Sequence, residues 1–545
     1  MNNKKVLGID LGTTNSAVAV VDEASGKAHV VNNKEAVPTT PSIVYIKDGR
    51  TAIVGANAEN QLGGREAQNV IAGSKRHLAD DAQWTDDGKF MGAENYPVFN
   101  GEKVTPITAA ALILRKVVMD NPNLALGNSG EKPRVVVTVP ARFSPIAKAR
   151  TQQAVLAAGL DLLGMIEEPV AAALAYHNGS EYKNRTIFVF DWGGGTFDAT
   201  IVKFDDKGGV GSVLVKKGDA WLGGNDIDNS LGFYLWRRYA EQKKNTAVTL
   251  SEDSFRNPEK ARNNDVLRMV NKFRRIAREA KHALTTLGSY DVVIDDGDVV
   301  LPLTRTEFES CIARHVEGTL EIVRSVFSDD RAIAPEKIDE VILVGGSSIM
   351  PCVTMALEKA YPVWRNKILL SDPHEAVAKG AAICANIMAN GGGEIKVRNY
   401  TEIAYGVKCV RRGANGGDEY YVSNVIAAGA TLPACATDRF STYNDNQRDV
   451  AIQIFANESK ASSVSIEESK EIVNPRSNRL SFEREVRADT PIEITLSLDE
   501  SGLLDVRGKS LVDSGECHFQ LHVTGTLDEK GMDSAKKQIA AGVVQ

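Results

Sequence analysis

One stretch of this chain is written twice. Residues 5–21 read KVLGIDLGTTNSAVAVV and residues 186–202 read TIFVFDWGGGTFDATIV, each an apolar strand, an aspartate, a glycine-rich turn, a threonine and a second strand. Such a repeat predicts two similar half-domains, each offering one hairpin to a shared cleft. In the first copy Asp10 ends a strand, Gly12 clears room for an anion, and Thr13 and Thr14 add hydroxyls. In the second, Asp191 ends a strand and Gly193, Gly194, Gly195, Thr196 and Asp198 follow. Successive turn amides make an anion nest, and the carboxylates can hold a divalent cation through its waters, so a triphosphate with Mg2+ satisfies both sets. Either turn alone reads as an ordinary glycine hairpin; the matched Asp and Thr positions favour phosphate. Two other nucleotide signatures are disfavoured. The Gly-Lys-Ser at 508–510 has Leu503 where a Walker loop needs its first glycine, and no strand-linked Gly-x-Gly-x-x-Gly occurs.

Up to about residue 390, β-type runs (135–139, 186–190, 341–344) alternate with helix-period stretches (107–120, 145–158, 258–285, 305–327), which predicts α/β layering. Beyond residue 400 the runs become short strands separated by turn residues, the pattern of an antiparallel β-sandwich. The expected division is an α/β nucleotide-binding domain over 1–390, a linker over 391–401 opened by three glycines, an all-β domain over 402–525 and a short helical tail over 526–545. With 64 Lys and Arg against 71 Asp and Glu and no polybasic block, the chain has no electrostatic footprint for nucleic acid or an anionic membrane. No window approaches the ~18 apolar residues of a membrane span. Cys311, Cys352, Cys384, Cys409, Cys435 and Cys517 are widely spaced and read as buried thiols of a reducing compartment, so a cytoplasmic protein, taken as a monomer, is expected.

The motifs GIDLGTTNS (8–16), VTVPARF (137–143), EEPVAAALAY (167–176), FDWGGGTFD (190–198), LGGNDID (222–228), VILVGGSS (341–348), DPHEAVAKGAA (372–382) and FSTYNDNQ (440–447) stand in an order that resembles the seventy-kilodalton heat-shock chaperone family over about residues 4–525. The resemblance implies an actin-like, two-lobed duplicated α/β nucleotide-binding domain followed by a peptide-binding β-sandwich. It implies ATP or ADP with Mg2+ as cofactors and leaves room for K+. Lys75 falls where the family has a lysine reaching the terminal phosphate, and a cation suits a developing phosphoryl charge. Glu168 falls where the family has a carboxylate near the attacking water; taken alone it is also an ordinary acid at a helix start before Pro169. Asp10, Asp191 and Asp198 would orient the hydrated Mg2+, with Thr196 beside them. Asn15, Gly223, Gly224, Gly345, Gly346 and Ser347 would line the phosphate and ribose side. At the base end the family's Glu, Lys, Arg and Ser become Arg278, Lys281, His282 and Thr285, a sandwiching arginine becomes Ile349, and an acidic position reads His374. Weaker stacking, lower nucleotide affinity and looser adenine selectivity are expected.

By family position Val407, Cys409, Val410, Phe440, Val450 and Ile452 would line a groove for an extended apolar peptide. For Val407 and Ile452 a place in the sandwich core is an equal alternative, and Phe440 is the best pocket candidate. Interdomain coupling would pass through Pro140, Lys148 (arginine in the family) and the linker, where only Ile395 and Val397 are apolar. Gly164 replaces an arginine used to dock J-domain partners, so J-domain and nucleotide-exchange co-chaperones are expected as partners with weakened J-domain docking. The family's helical lid is expected to be missing and peptide exchange fast. The leading function is an ATP-dependent chaperone with slow hydrolysis, binding unfolded polypeptide. The alternatives are a nucleotide-binding scaffold without turnover, a small-molecule kinase and a filament protein.

Overall fold

The computed structural model describes residues 6–545 except 63–65, 86–88, 119–120, 122–123, 125–131, 141–142, 177–183, 205–210, 245–247, 258–263, 371–372, 374, 391–400, 402, 414–415, 431–432, 473–477, 499–503, 521–526 and 528. His374, Ile395 and Val397 lie outside the described residues.

The two repeated stretches form the centres of two sheets with one topology. The first runs Asp161–Glu167, Arg134–Val139, Val6–Leu11, Asn15–Val21, Ala28–Val30, and the second runs Gly211–Asp219, Phe197–Phe204, Thr186–Trp192, Glu340–Val344, Ile368–Leu369. In each, the strand carrying the aspartate pairs antiparallel with the strand after its own turn and parallel with a strand much later in sequence. Strands covered on both faces need unbroken apolar runs, and all seven residues of Thr186–Trp192 are buried.

Two helices, Glu168–Tyr176 and Ala376–Asn390, fill the space between the sheets. One core joins Val136 and Ile166 of the first sheet, Ile187, Val189 and Ile342 of the second, and residues 170–174 and 376–385 of the helices. The approach is backbone to backbone, since a Cβ on Gly380 would fall 1.7 Å from the carbonyl oxygen of Ala171 and one on Gly8 would fall 1.9 Å from the amide nitrogen of Ala382. Each sheet therefore holds its Asp-bearing turn at a fixed place above this shared spine.

Residues 404–520 form a five-stranded and a four-stranded antiparallel sheet face to face, and a two-stranded sheet of Gln447–Ala451 and Arg479–Val486 adds to them. The five-stranded sheet centres on Ala404–Arg412 and Asp418–Ile426, and the four-stranded sheet runs Ala434–Ser441, Pro491–Leu498, Leu504–Ser510, Glu516–Gln520. Inward residues alternate, as in Ile492, Ile494, Leu496 and Leu498, and they meet Tyr405, Val407 and Ile454 in one core. The strand Ala434–Ser441 has no clean alternation of inward and outward residues. None of the six cysteines is fully buried, and Cys435 is exposed, which corrects the reading of them as core thiols. Among the described residues no helix is long and apolar enough to cross a membrane.

The segment after the sandwich returns to the first lobe. Its helix Glu529–Ala540 packs on Pro106–Val118 and Pro145–Ala157, and Val543–Val544 adds a parallel strand beside Thr51–Val54.

Candidate functional site

The two turns meet. A Cβ on Gly194 would lie 1.8 Å from Thr14 Oγ1 and one on Gly195 2.4 Å from Thr13 Oγ1, so only glycine lets the second turn close on the threonines of the first. Gly345 closes a third side with φ 79°, where a Cβ would fall 2.4 Å from the Trp192 carbonyl oxygen. Between these loops lies a cleft of about 420 Å³.

Asp10, Gly12, Thr13, Thr14 and Asn15 line the cleft from the first lobe, and Asp191, Gly193, Gly194, Gly195 and Thr196 from the second. Lys75, Glu168, Gly224, Gly345, Gly346 and Ser347 complete the same wall. Two expected residues stand behind it. Gly223 touches the backbone of Gly194 and Gly195, and Asp198 is buried opposite Asp191 in the strand register.

Charge is concentrated at the floor. Lys75, buried on the helix Ser74–Ala79, pairs with Glu168 at the start of Glu168–Tyr176. Thr138 Oγ1 donates to Asp10 Oδ1 at 3.0 Å. Burial pushes the Asp10 carboxyl up from 3.8 to about 6, with Lys75 opposing and Glu168 adding to the rise. Asp191 is raised well above the usual range, first by burial, then by the charges of Glu168, Asp198 and Asp10. Asp10, Glu168 and Asp191, with Asp198 behind them, thus surround one lysine, an imbalance that a cation relieves. Asp10 and Asp191, one from each lobe, are hard oxygen donors on one cleft, a set that fits a divalent cation such as Mg2+.

The opposite end is built from the helix Asn264–Thr286, where Arg278, Lys281, His282 and Thr285 line the cleft with Ile349 and Pro373. The Arg278 guanidinium is already engaged. It reaches across the cleft to Glu59 of the first lobe, and its Nε donates to Asp228 Oδ2 at 3.3 Å. Lys281 Nζ pairs with Asp228 at 2.6 Å and donates to the Gly224 carbonyl at 3.1 Å. A second cross-lobe bridge runs from Arg76 to the Gly195 carbonyl and Asp226. Glu59, Thr39, Asn225 and Asp228 line the site without having been singled out from the sequence. Asn225, Asp226 and Asp228 fall inside LGGNDID, so part of that signal was present, whereas nothing near Glu59 pointed to it.

A model of the Hsp70 protein family matches residues 6–542. The chain belongs to the Hsp70 family. Hsp70 proteins are ATP-dependent chaperones that bind ATP or ADP with Mg2+, hydrolyse ATP, and work on unfolded polypeptides with co-chaperones.

The remaining expected residues of this Hsp70 chain lie away from the cleft. Lys148 Nζ reaches Glu167 Oε1 at 3.4 Å, and Lys216 of the second lobe takes the same oxygen at 2.7 Å. Pro140 accepts from the Phe143 amide at 3.1 Å. Gly164 leaves space that the Met388 side chain occupies, its Cε standing 2.8 Å from where a Cβ would be. In the sandwich, Val407 and Ile452 are buried core residues, while Phe440 and Val450 are half-buried against that core. Cys409 and Val410 are half-buried on Ala404–Arg412.

Proposed function

We propose that the chain is a Mg2+-dependent ATP hydrolase whose turnover gates binding of extended apolar peptide by its sandwich. The observation that carries this reading is the contact of Thr13 and Thr14 with Gly194 and Gly195, which brings both acid-and-threonine corners to one cleft. In that cleft the turn amides and the Thr13, Thr14 and Thr196 hydroxyls bind the phosphate oxygens. Lys75 leaves Glu168 for the terminal phosphate, and Glu168, freed, orients a water for in-line attack and takes its proton. The bond between the terminal phosphorus and the bridging oxygen breaks, giving ADP and inorganic phosphate. Bound Mg2+ supplies neutralisation of the phosphate charge, and Asp10, Asp191 and, from behind, Asp198 would hold its water shell.

At the base end, Arg278 is held by Glu59 and Asp228 rather than lying open as a stacking plane, and the aliphatic Ile349 stands on the same wall; this supports modest affinity and loose adenine selectivity. For the peptide groove we assign Phe440, Val450, Cys409 and Val410, and leave Val407 and Ile452 to the core. Between site and sandwich, Lys148 and Lys216 both hold Glu167, the residue before Glu168, which makes this trio our choice for coupling. The wide spacing of the six cysteines along the chain supports a reducing compartment such as the cytoplasm.

Single-turnover hydrolysis of ATP with and without an unfolded apolar peptide tests the reading. A peptide-dependent rate supports it. A second reading, a nucleotide-binding scaffold, is favoured by the Lys75–Glu168 pair, which occupies the one lysine of the floor; tight binding with no hydrolysis would select it. The sandwich argues against a small-molecule kinase or a filament protein.

A further inference from the structure

The stretch 527–545 was legible only as a short amphipathic helix, and its position opens a question apart from nucleotide chemistry. Met532, Ala535 and Ile539 lie on one face at helical spacing and join the core of the first lobe, where Ala535 and Ile539 are fully buried. The polar contacts are as specific. Gln538, itself 4% exposed, donates from Nε2 to the carbonyl oxygens of Phe99 at 3.0 Å and Glu102 at 3.1 Å. Carbonyl groups in the last turn of a helix lack partners within it, and here Asn100 Nδ2 donates to the Gln538 oxygen at 2.7 Å and Arg115 Nη1 to the Ile539 oxygen at 3.0 Å. At the other end the Gln153 amide exchanges two hydrogen bonds with the backbone of Leu527, at 2.7 and 3.0 Å.

Past the helix, Gly542 lies so close to Phe99 that a Cβ would fall 2.1 Å from Cζ. The chain then pairs with Thr51–Val54. The Val543 amide donates to Arg50 at 3.0 Å, the Gln545 amide to Ala52 at 2.8 Å, and the Val54 amide to Gln545 at 2.9 Å. An otherwise open sheet edge is thereby covered. Against this, among the described residues the ion pairs between sandwich and lobes include Lys470–Asp81 at 3.1 Å and Lys460–Asp330 at 3.9 Å, both with exposed lysines. Exposed pairs of this kind contribute little.

We propose that Leu527 and residues 529–545 act as a strap: the first lobe carries a docking surface, formed by the Thr51–Val54 edge, Phe99, Asn100, Arg115 and Gln153, whose occupant is this segment of the same chain. The sandwich is then anchored to the nucleotide-binding body at both of its ends, and the second anchor is independent of nucleotide. Its motions relative to the first lobe are confined to those the strap allows, and the groove works beside the first lobe through the whole cycle. The proposal does not depend on ATP being hydrolysed.

Hydrogen exchange on the full chain, resolved by residue, tests it. The Val54, Val543 and Gln545 amides should exchange at least about a hundredfold more slowly than an unstructured chain, equally without nucleotide and with Mg-ATP. Ile539→Asp should speed exchange at Val54 at least about tenfold while leaving Ile494 and Leu496 of the sandwich core unchanged, and small-angle scattering should show a larger radius of gyration. If that variant does not fold, Gln538→Ala, which removes only hydrogen bonds, should give the same pattern at smaller size. Unprotected Val543 and Gln545 amides in the unmodified chain, loss of their protection when Mg-ATP is added, or unchanged Val54 exchange in both variants would overturn the proposal.

Discussion

The bridge from Arg278 to Glu59 joins the two lobes across the cleft, and removing it should accelerate nucleotide release. Both side chains are 27% exposed, so the pair is partly screened and its Coulomb contribution must be discounted from that of a buried pair. Asp228, 3% exposed, continues to hold Arg278 at Nε, so Glu59→Ala removes this one of the two cross-lobe bridges without leaving an unpaired buried charge. About 1 kcal/mol is a reasonable magnitude for such a pair, equivalent to roughly fivefold in rate if opening limits release. Stopped-flow displacement of a fluorescent ADP analogue reads that rate directly. Arg278→Glu should do more, because it sets a third acid beside Asp228 and Glu59, and adding Glu59→Arg should recover much of the loss through the reversed pair. High salt should shrink the Glu59→Ala effect. Release rates equal within about twofold for wild type and Glu59→Ala at low salt would refute a latch at this pair.

Three further outcomes are expected. Asp10 carries a folded-state pKa of about 6 against 3.8, so the nucleotide-free protein binds the extra proton between those values and loses stability as pH rises through that window. Binding of Mg-ATP needs the ionised carboxylate, so its affinity should climb over the same window, by up to about tenfold per pH unit, and flatten above it; a flat calorimetric profile from pH 5 to 7 would contradict this. Gly194→Ala must push Thr14 aside and should weaken Mg-ATP binding at least about tenfold while the sandwich melts unchanged; unaltered affinity would show that the turns need not touch. Phe440→Ala should weaken binding of an apolar peptide, seen by fluorescence anisotropy, with about 1–2 kcal/mol lost for a half-buried ring, whereas an unchanged affinity would remove it from the groove.

The parts that could be read from the sequence are those whose chemistry is local. A strand, an aspartate and a glycine turn announce themselves within a dozen residues, and their duplication alone predicts that Asp10 and Asp191 share one cleft. The cross-lobe bridges were hidden because nothing in the sequence relates Glu59 to Arg278, 219 positions apart, or Arg76 to Asp226, 150 apart. Charge type alone could not tell whether Arg278 faces a base or an acid. Val407 and Ile452 were ambiguous for a related reason: a period of two is shared by a groove and a core, and only the facing sheet decides. The strap shows the same limit, since its amphipathic face was plain while the surface it covers, around Phe99 and Arg115, is assembled from distant elements.

The central claim is that the two corners hold a single metal-bridged polyphosphate, and calorimetric titration of Mg-ATP into wild type, Asp10→Asn, Asp191→Asn and the double variant tests it most directly. One site per chain is predicted, with each single variant abolishing most of the Mg2+ dependence and the double variant losing less than the two losses combined, because both carboxylates serve one ion. Two independent sites, or a corner variant that binds Mg-ATP as the wild type does, would contradict it.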